Sequence, residues 1–328
     1  MKLPEPCGEL SAAVVDALRG KPLTSPRVDR ADPYGKDLQL ALHTCYELHY
    51  HGFDSVHPDW EWDPELLRFR ATLEERFLTA LRADVPGGAD LTGELEALLV
   101  EPIEHTGVSH FMCDEGEWWH VREYFVHRSI YHHKEADPHA WVIPRLTGRA
   151  KAAVVAVEFD EFGGGHADRM HSRLYVDLLA GAGLDTGYLH YIGDVPPHML
   201  ALVNMMSLFG LRRSLRGALV GHFAAAEITS APSAQRMAKA LAGFDADPAC
   251  VHYFTEHIEA DAVHEQVMRR DVLGDLLERE PELTESVVFG IQATNFLEER
   301  FAEHVLGAWR AGRTSLTRPL DLVVSRAG

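Results

Sequence analysis

The sequence predicts an all-α protein, a bundle of packed helices. Three observations carry that expectation. Apolar residues recur at helical spacing through most of the 328 residues. Strand-like alternation is scarce, and the β-branched stretch VVAV at 154–157 sits inside a longer helical pattern. Turn formers cluster at discrete breaks: Asp137-Pro138, Gly163-Gly164-Gly165, Pro196-Pro197, Ala231-Pro232 and Glu280-Pro281.

Taken in order, residues 1–36 hold a short helix near 9–19 and a linker rich in Pro, Gly and charge. Residues 37–52 set Leu38, Leu40, Ala41, Cys45 and Leu48 at helical spacing, with Gly52 as a stop. Residues 64–83 form an amphipathic helix with Pro64 near its start, and 91–100 form another. The segment 101–120 is less regular. From 117 onward helices are expected near 117–134, 148–161, 167–182, 195–208, 211–227, 233–242, 248–279 and 282–311. The final DLVVSRAG is too short to place, and no internal repeat or low-complexity tract occurs. The expected organisation is an N-terminal helical arm at 1–115, a core bundle at 116–311 and a C-terminal tail at 312–328.

Composition limits the partners. A net charge of −19 and a pI near 5.4 argue against nucleic acid or an anionic membrane, because phosphate binding needs a basic patch. Cys7, Cys45, Cys113 and Cys250 are far apart and form no C-x-x-C, so reduced thiols in a cytoplasmic protein are expected. Acidic residues interrupt the N-terminal apolar stretch, so no signal peptide is expected, and no apolar run is long enough for a membrane span.

The stretch YFTEHIEADAVHEQV, residues 253–267, raises the question of a metal. On a helix Asp261 lies about 40° from His257, and His264 about 20° to the other side. The three project as one narrow stripe beside Tyr253, Phe254, Ile258 and Val263. Buried ionisable groups need partners, and imidazole with carboxylate suits iron, zinc or manganese. Alone, the pattern also fits a solvated helix face in a chain with 20 His.

Other carboxylates stand out by setting. Glu135 lies in KEADPH before Pro138, Glu161 precedes three glycines, and Glu227 lies in the apolar GHFAAAEITS. Each also admits a structural role: a turn cap or Lys134 pair, a solvated helix end, and a partner for an arginine of LRRSLRG. His171 follows Glu161 by ten residues, which leaves the two about 80° apart on an ideal helix. The Gly163–Gly165 run can break that helix and turn both inward. The ferritin-type Glu-x-x-His motif occurs as Glu117-x-x-His120 with no matching second copy, so a ferritin-like site is disfavoured and a helix surface pair is the expectation there.

The series KEADPH, DEFGGG-x5-H, an isolated Glu after GH-x-A, then H-x3-D-x2-H resembles the heme-oxygenase-like diiron oxidases, also called iron-containing redox enzymes. The resemblance covers about residues 120–305. It implies a heme-oxygenase-like bundle of about seven core helices without heme. It implies a metal set of Glu135, Glu161, His171, Glu227, His257, Asp261 and His264, all present and in order. It also implies two irons, O2 as co-substrate and an external electron donor, since no flavin or nicotinamide motif is visible. His171 is expected on one iron, with His257 and His264 divided between the two.

Reactions of that family include N-oxygenation of amines or guanidines, oxidative decarboxylation or fragmentation of acids, and desaturation of amino acids. N-oxygenation of a small amine, amino acid or carboxylate in specialised metabolism is favoured here. The aromatic run EWWHVREYF at 117–125 is expected in core or interface rather than pocket. Arg212, Arg213 and Arg216 are candidates for a substrate carboxylate, against the commoner use in helix-surface ion pairs. Two rivals remain: a cofactor-less enzyme of the same helical superfamily, thiaminase-like or pyrroloquinoline-quinone-forming, and a non-catalytic metal-binding scaffold. A hydrolase ranks lower, for want of G-x-S-x-G or H-E-x-x-H. The partners expected are a small-molecule substrate and a reductase or reductant. The oligomeric state is left open, a homodimer included.

Overall fold

The computed structural model describes residues 1–100 and 107–320, apart from the side chains of Glu259, Asp261 and Ala262. Among these residues every regular element is helical. The N-terminal part carries α1 (Glu9–Leu18), α2 (Lys36–Glu47), α3 (Pro64–Asp84) and α4 (Leu91–Leu99). Then follow α5 (Val108–Asp114), α6 (Trp118–His132), the single turn α7 (Asp137–Ala140) and α8 (Gly148–Glu161). The remainder is α9 (His171–Gly181), α10 (Pro197–Leu211), α11 (Arg216–Gly243), α12 (Pro248–Val267), α13 (Gly274–Arg279) and α14 (Thr284–Arg310). The tail DLVVSRAG, residues 321–328, lies outside the described residues.

Local chemistry explains the starts. Asp63 caps α3 by accepting from the backbone N–H groups of Glu65 and Leu66, and Pro64 occupies the first helical position. The helix then buries Leu66, Phe69, Leu73, Phe77 and Leu81, one stripe at spacings of three and four. Asp247 and Pro248 begin α12 in the same way. Helix α10 is buried on every side from Met199 to Gly210 and forms the centre of the bundle. On it pack α2, α6, α11 and α14, and α12 lies along α11. One apolar core runs from Leu10 of α1 to Leu316.

Two glycines fix how α11 meets α14. A Cβ on Gly221 would lie 2.1 Å from the Val287 carbonyl oxygen, and one on Gly290 would lie 2.0 Å from that of Ala218. The two backbones therefore touch, which sets His222 against Thr294.

The sequence expectation of separate helices at 211–227 and 233–242 is not met. They form the single helix α11, with Pro232 inside it. Proline removes one helical hydrogen bond, but packing of α11 against α5, α12 and α14 holds the chain helical. The stretch 248–279 is interrupted by a π-helical turn, Met268–Leu273, between α12 and α13. Helix α5 was not foreseen in the irregular segment 101–120; residues 101–106 lie outside the described residues. Among the described residues no helix is long and apolar enough to cross a membrane.

Candidate metal centre

Glu135, His171 and His257 bring one ligand atom each within 4.8 Å of one another. Glu135 sits in the turn between α6 and α7, His171 opens α9, and His257 lies mid-way along α12. The Nδ1 of His257 faces the Tyr253 carbonyl oxygen at 2.7 Å, so it carries the proton and Nε2 carries the lone pair. That Nε2 is 3.9 Å from Glu135 Oε1. The other oxygen of Glu135 accepts from the Tyr253 hydroxyl at 2.9 Å and faces His132 Nδ1 at 2.9 Å.

Glu161, Glu227 and His264 form a second set by the same measure. His264 Nδ1 faces Glu227 Oε2 at 3.1 Å and Glu161 Oε1 at 3.7 Å. Its Nε2 meets Asp160 Oδ2 at 3.2 Å. Glu161 also touches the first set, with Oε2 2.8 Å from His171 Nδ1. The glycine run makes that contact. Gly163, Gly164 and Gly165 have φ of 73°, 61° and 85°, so the chain leaves α8 in left-handed conformations and returns into α9 with His171 turned to Glu161.

The electrostatics of the donor set fit a cation. Glu135, Glu161 and Glu227 are buried, and buried carboxylates this close need positive charge between them. Two imidazoles supply it by holding protons. Burial opposes charge on His264, but Glu227, Glu161 and Asp160 outweigh it and raise the group to about 9. His171 is raised in the same way, by Glu161 against burial. Burial pushes Glu135 up, yet His132 and His257 prevail and hold it well below its ordinary value. A divalent metal would displace the imidazole protons and serve the same carboxylates. Carboxylate with imidazole suits iron.

A cavity of about 530 Å³ opens beside both sets, with Glu135, Glu161, Glu227 and His257 in its wall. Its other walls come from α5, α6, α7, α10, α11, α12 and α14.

Six of the seven residues singled out in the sequence thus converge: Glu135, Glu161, His171, Glu227, His257 and His264. The side chain of the seventh, Asp261, lies outside the described residues; its backbone belongs to α12. His171 and His257 share a set and His264 stands in the other. The KEADPH segment is buried apart from the half-buried Asp137, and its Lys134 pairs with Glu47 of α2. Arg212 and Arg216 do not reach the cavity; they pair with Glu74 and Glu280. Arg213 does not line the cavity either. The arginine that does is Arg128, from the aromatic helix α6, and it makes two 2.7 Å bonds to Glu298. Of the 117–125 run only Tyr124 lines the cavity; Val121 and Phe125 are core. His120 of the Glu117-x-x-His120 pair accepts the Glu117 N–H at 2.8 Å and caps α6. Tyr253, His132 and Asp160, which hold the candidate ligands, carried no motif of their own.

A sequence model of the iron-containing redox enzymes matches residues 122–299, more than half of the chain. The chain belongs to that family. Its all-helical architecture is the heme-oxygenase-like fold of the family, and the matched region holds all seven motif residues. The chain is also similar to a nitrosourea synthase from Streptomyces achromogenes subsp. streptozoticus, 27% identical over 194 residues. That match covers 58% of this chain and 41% of the relative, so the chain spans well under half the length of the relative it matches.

Proposed function

We propose that this family member is an O2-dependent, non-heme diiron oxygenase acting on a small amine or amino acid, with oxidation at nitrogen as the favoured outcome. The observation that supports this reading is the paired geometry, with two three-residue sets sharing one wall of a cavity and Glu161 reaching into both. The name of the nitrosourea synthase relative is consistent with oxidation at nitrogen. In this reading Glu135, His171 and His257 would hold one iron and Glu161, Glu227 and His264 the other. Glu161 reaches toward both sets, and Asp261 would join the ligands on motif alone. Two bound irons would supply O2 activation and the redox equivalents of the reaction.

The protein's own part is positioning. The Tyr253 carbonyl keeps His257 in the tautomer whose Nε2 faces the site. Asp160 does the same for His264 by accepting from Nε2, which leaves Nδ1 toward Glu227. The Tyr253 hydroxyl, 2.8 Å from His132 Nδ1, gives a proton a path between Glu135 and His132. Phe254, Met206 and Ala226 line the cavity with apolar surface and restrict water. Electrons come from an external reductase or small reductant. Four free cysteines support a reducing, cytoplasmic setting, and residues 1–115 act as an accessory arm.

The test is anaerobic Fe(II) loading followed by rapid mixing with O2, read by visible absorption and Mössbauer spectroscopy. Uptake of about two irons per chain and rapid oxidation by O2 are expected, accelerated by an accepted amine. No uptake would favour the cofactor-less relatives, and uptake without O2 reaction would favour a metal-binding scaffold.

A further inference from the structure

The cavity carries a polar group that the metal sets do not use. His222 of α11 is 2% exposed, lines the cavity and stands five residues before Glu227. Its Nδ1 is 2.8 Å from Thr294 Oγ1. Thr294 donates its only hydroxyl proton to the Gly290 carbonyl, also at 2.8 Å. The Thr294 oxygen must therefore accept from His222, so Nδ1 bears the imidazole proton and Nε2 is a bare lone pair. Burial keeps the ring neutral by lowering it to about 4. His222 Nε2 has no hydrogen-bond partner in the protein. A buried acceptor left without a donor is destabilising, so it marks a place where a ligand donates.

The surroundings have the same polarity. Thr229 and Ser230 also line the cavity, and both commit their hydroxyl protons to main-chain carbonyls, of Ala225 at 2.9 Å and of Glu227 at 3.3 Å. Their oxygens face a ligand as acceptors. Arg128 is the cavity's one Arg or Lys among the described residues, and Glu298 already binds it in bidentate fashion. Glu299 adds a further acid. Even with metal offsetting Glu135, Glu161 and Glu227, an anionic ligand finds no free cation here. His139 is stacked on Phe223 at 4.2 Å, with its ring 5.2 Å from His222. Neither of its nitrogens has a partner in the protein, so it offers one more donor and one more acceptor.

We propose that His222 is the specificity-determining residue of this cavity: its Nε2 accepts a hydrogen bond from an N–H of the substrate, a small amine without a carboxylate at that end. Thr294 is the positioning residue, because it sets the tautomer. This rests on the cavity being the substrate site of the proposed oxygenase. The test is made without iron, so that failure of the two readings can be told apart.

The probes are n-butylammonium and the similarly sized anion butyrate, titrated into the full chain labelled with 15N-histidine. Long-range 1H–15N spectra report the tautomer, and the His222→Phe difference spectrum assigns the ring. The expected result is an unprotonated His222 Nε2 that shifts upfield as n-butylammonium binds, with butyrate producing no shift. His222→Phe should weaken n-butylammonium binding about tenfold. Thr294→Val leaves the imidazole in place but frees its tautomer, and should weaken binding about threefold; it serves if His222→Phe does not fold. A protonated Nε2 in the free protein, a preference for butyrate, or unchanged affinity in the folded variant would overturn the proposal.

Discussion

Lys134 Nζ lies 2.8 Å from Glu47 Oε2, and both side chains are sealed from water, at 1% and 0% exposure. Tyr188 donates to the other oxygen of Glu47 at 2.8 Å, and the ammonium sits 4.4 Å from the centre of the Tyr50 ring. The pair joins α2 of the N-terminal part to the residue preceding Glu135. Glu47→Gln leaves the lysine charge buried and unpaired, and should cost about 3–5 kcal/mol in chemical denaturation. The double variant Glu47→Leu/Lys134→Met should recover most of that loss. A single variant as stable as the parent would show that the pair is open to water in solution.

Tyr253 tests how the first set is held. Tyr253→Phe removes the donor to Glu135 and the bridge to His132 while keeping the ring that packs on Tyr175. Fe(II) affinity, measured by chelator competition, should fall about 10–100-fold with helix content unchanged. Parent-like affinity would mean that Glu135 is oriented without the hydroxyl.

Glu158 makes a pH prediction. It is 3% exposed, neither oxygen has a hydrogen-bond partner, and burial, then Glu161 and Glu227, push it from 4.5 up to about 9. Below the unfolded value both states hold the proton and no penalty applies. Between 4.5 and about 9 the unfolded chain releases it and the folded chain keeps it. Stability of the metal-free protein should therefore fall as pH rises through that window, by at most about 1.4 kcal/mol per pH unit from this group. Glu158→Gln should flatten the profile and be the more stable protein at pH 8. Parallel profiles for parent and variant would rule the shift out.

The glycine run predicts a graded series. A Cβ on Gly163 would lie 2.6 Å from the Met170 nitrogen at φ 73°, whereas one on Gly164 has nothing closer than 3.8 Å at φ 61°. Gly164→Ala should cost about 1–2 kcal/mol, the left-handed penalty alone. Gly163→Ala should cost more and also lower iron uptake, because α9 must shift and carry His171 from Glu161. Equal melting temperatures and equal iron content in the two variants would contradict this.

Most of the architecture was legible in the sequence because helical periodicity and proline–glycine punctuation are local signals. The failures are places where packing overrules a local rule: Pro232 survives inside α11 because neighbouring helices hold it there. The candidate ligands were legible for a different reason. His257 and His264 announce themselves by spacing, whereas Glu135 and Glu227 stood out by local setting and were joined to the set by the family pattern. His222 figured only as a letter of GH-x-A, Lys134 only as a neighbour for Glu135, and Arg128 not at all, since their meaning comes from Thr294, Glu47 and Glu298, each 72 or more positions away in the chain. The arginines of LRRSLRG looked free only because Glu74 and Glu280 are also remote in sequence.

The π turn at Met268–Leu273 begins four residues after His264. Such a turn behaves as one extra residue lodged in a helix without breaking it. The bulge absorbs that residue, so the stretch before it and the stretch after it keep the phase of one continuous helix. Deleting a single residue there would return the segment to plain α-helix with little rotation, whereas the same deletion at 265–267 would swing the residues before it by about 100°. With α13 tied to α8 through Asp275, the histidine stripe would then turn away from its carboxylates. This short segment is therefore a place near the centre where the chain can lose a residue without moving the candidate ligands.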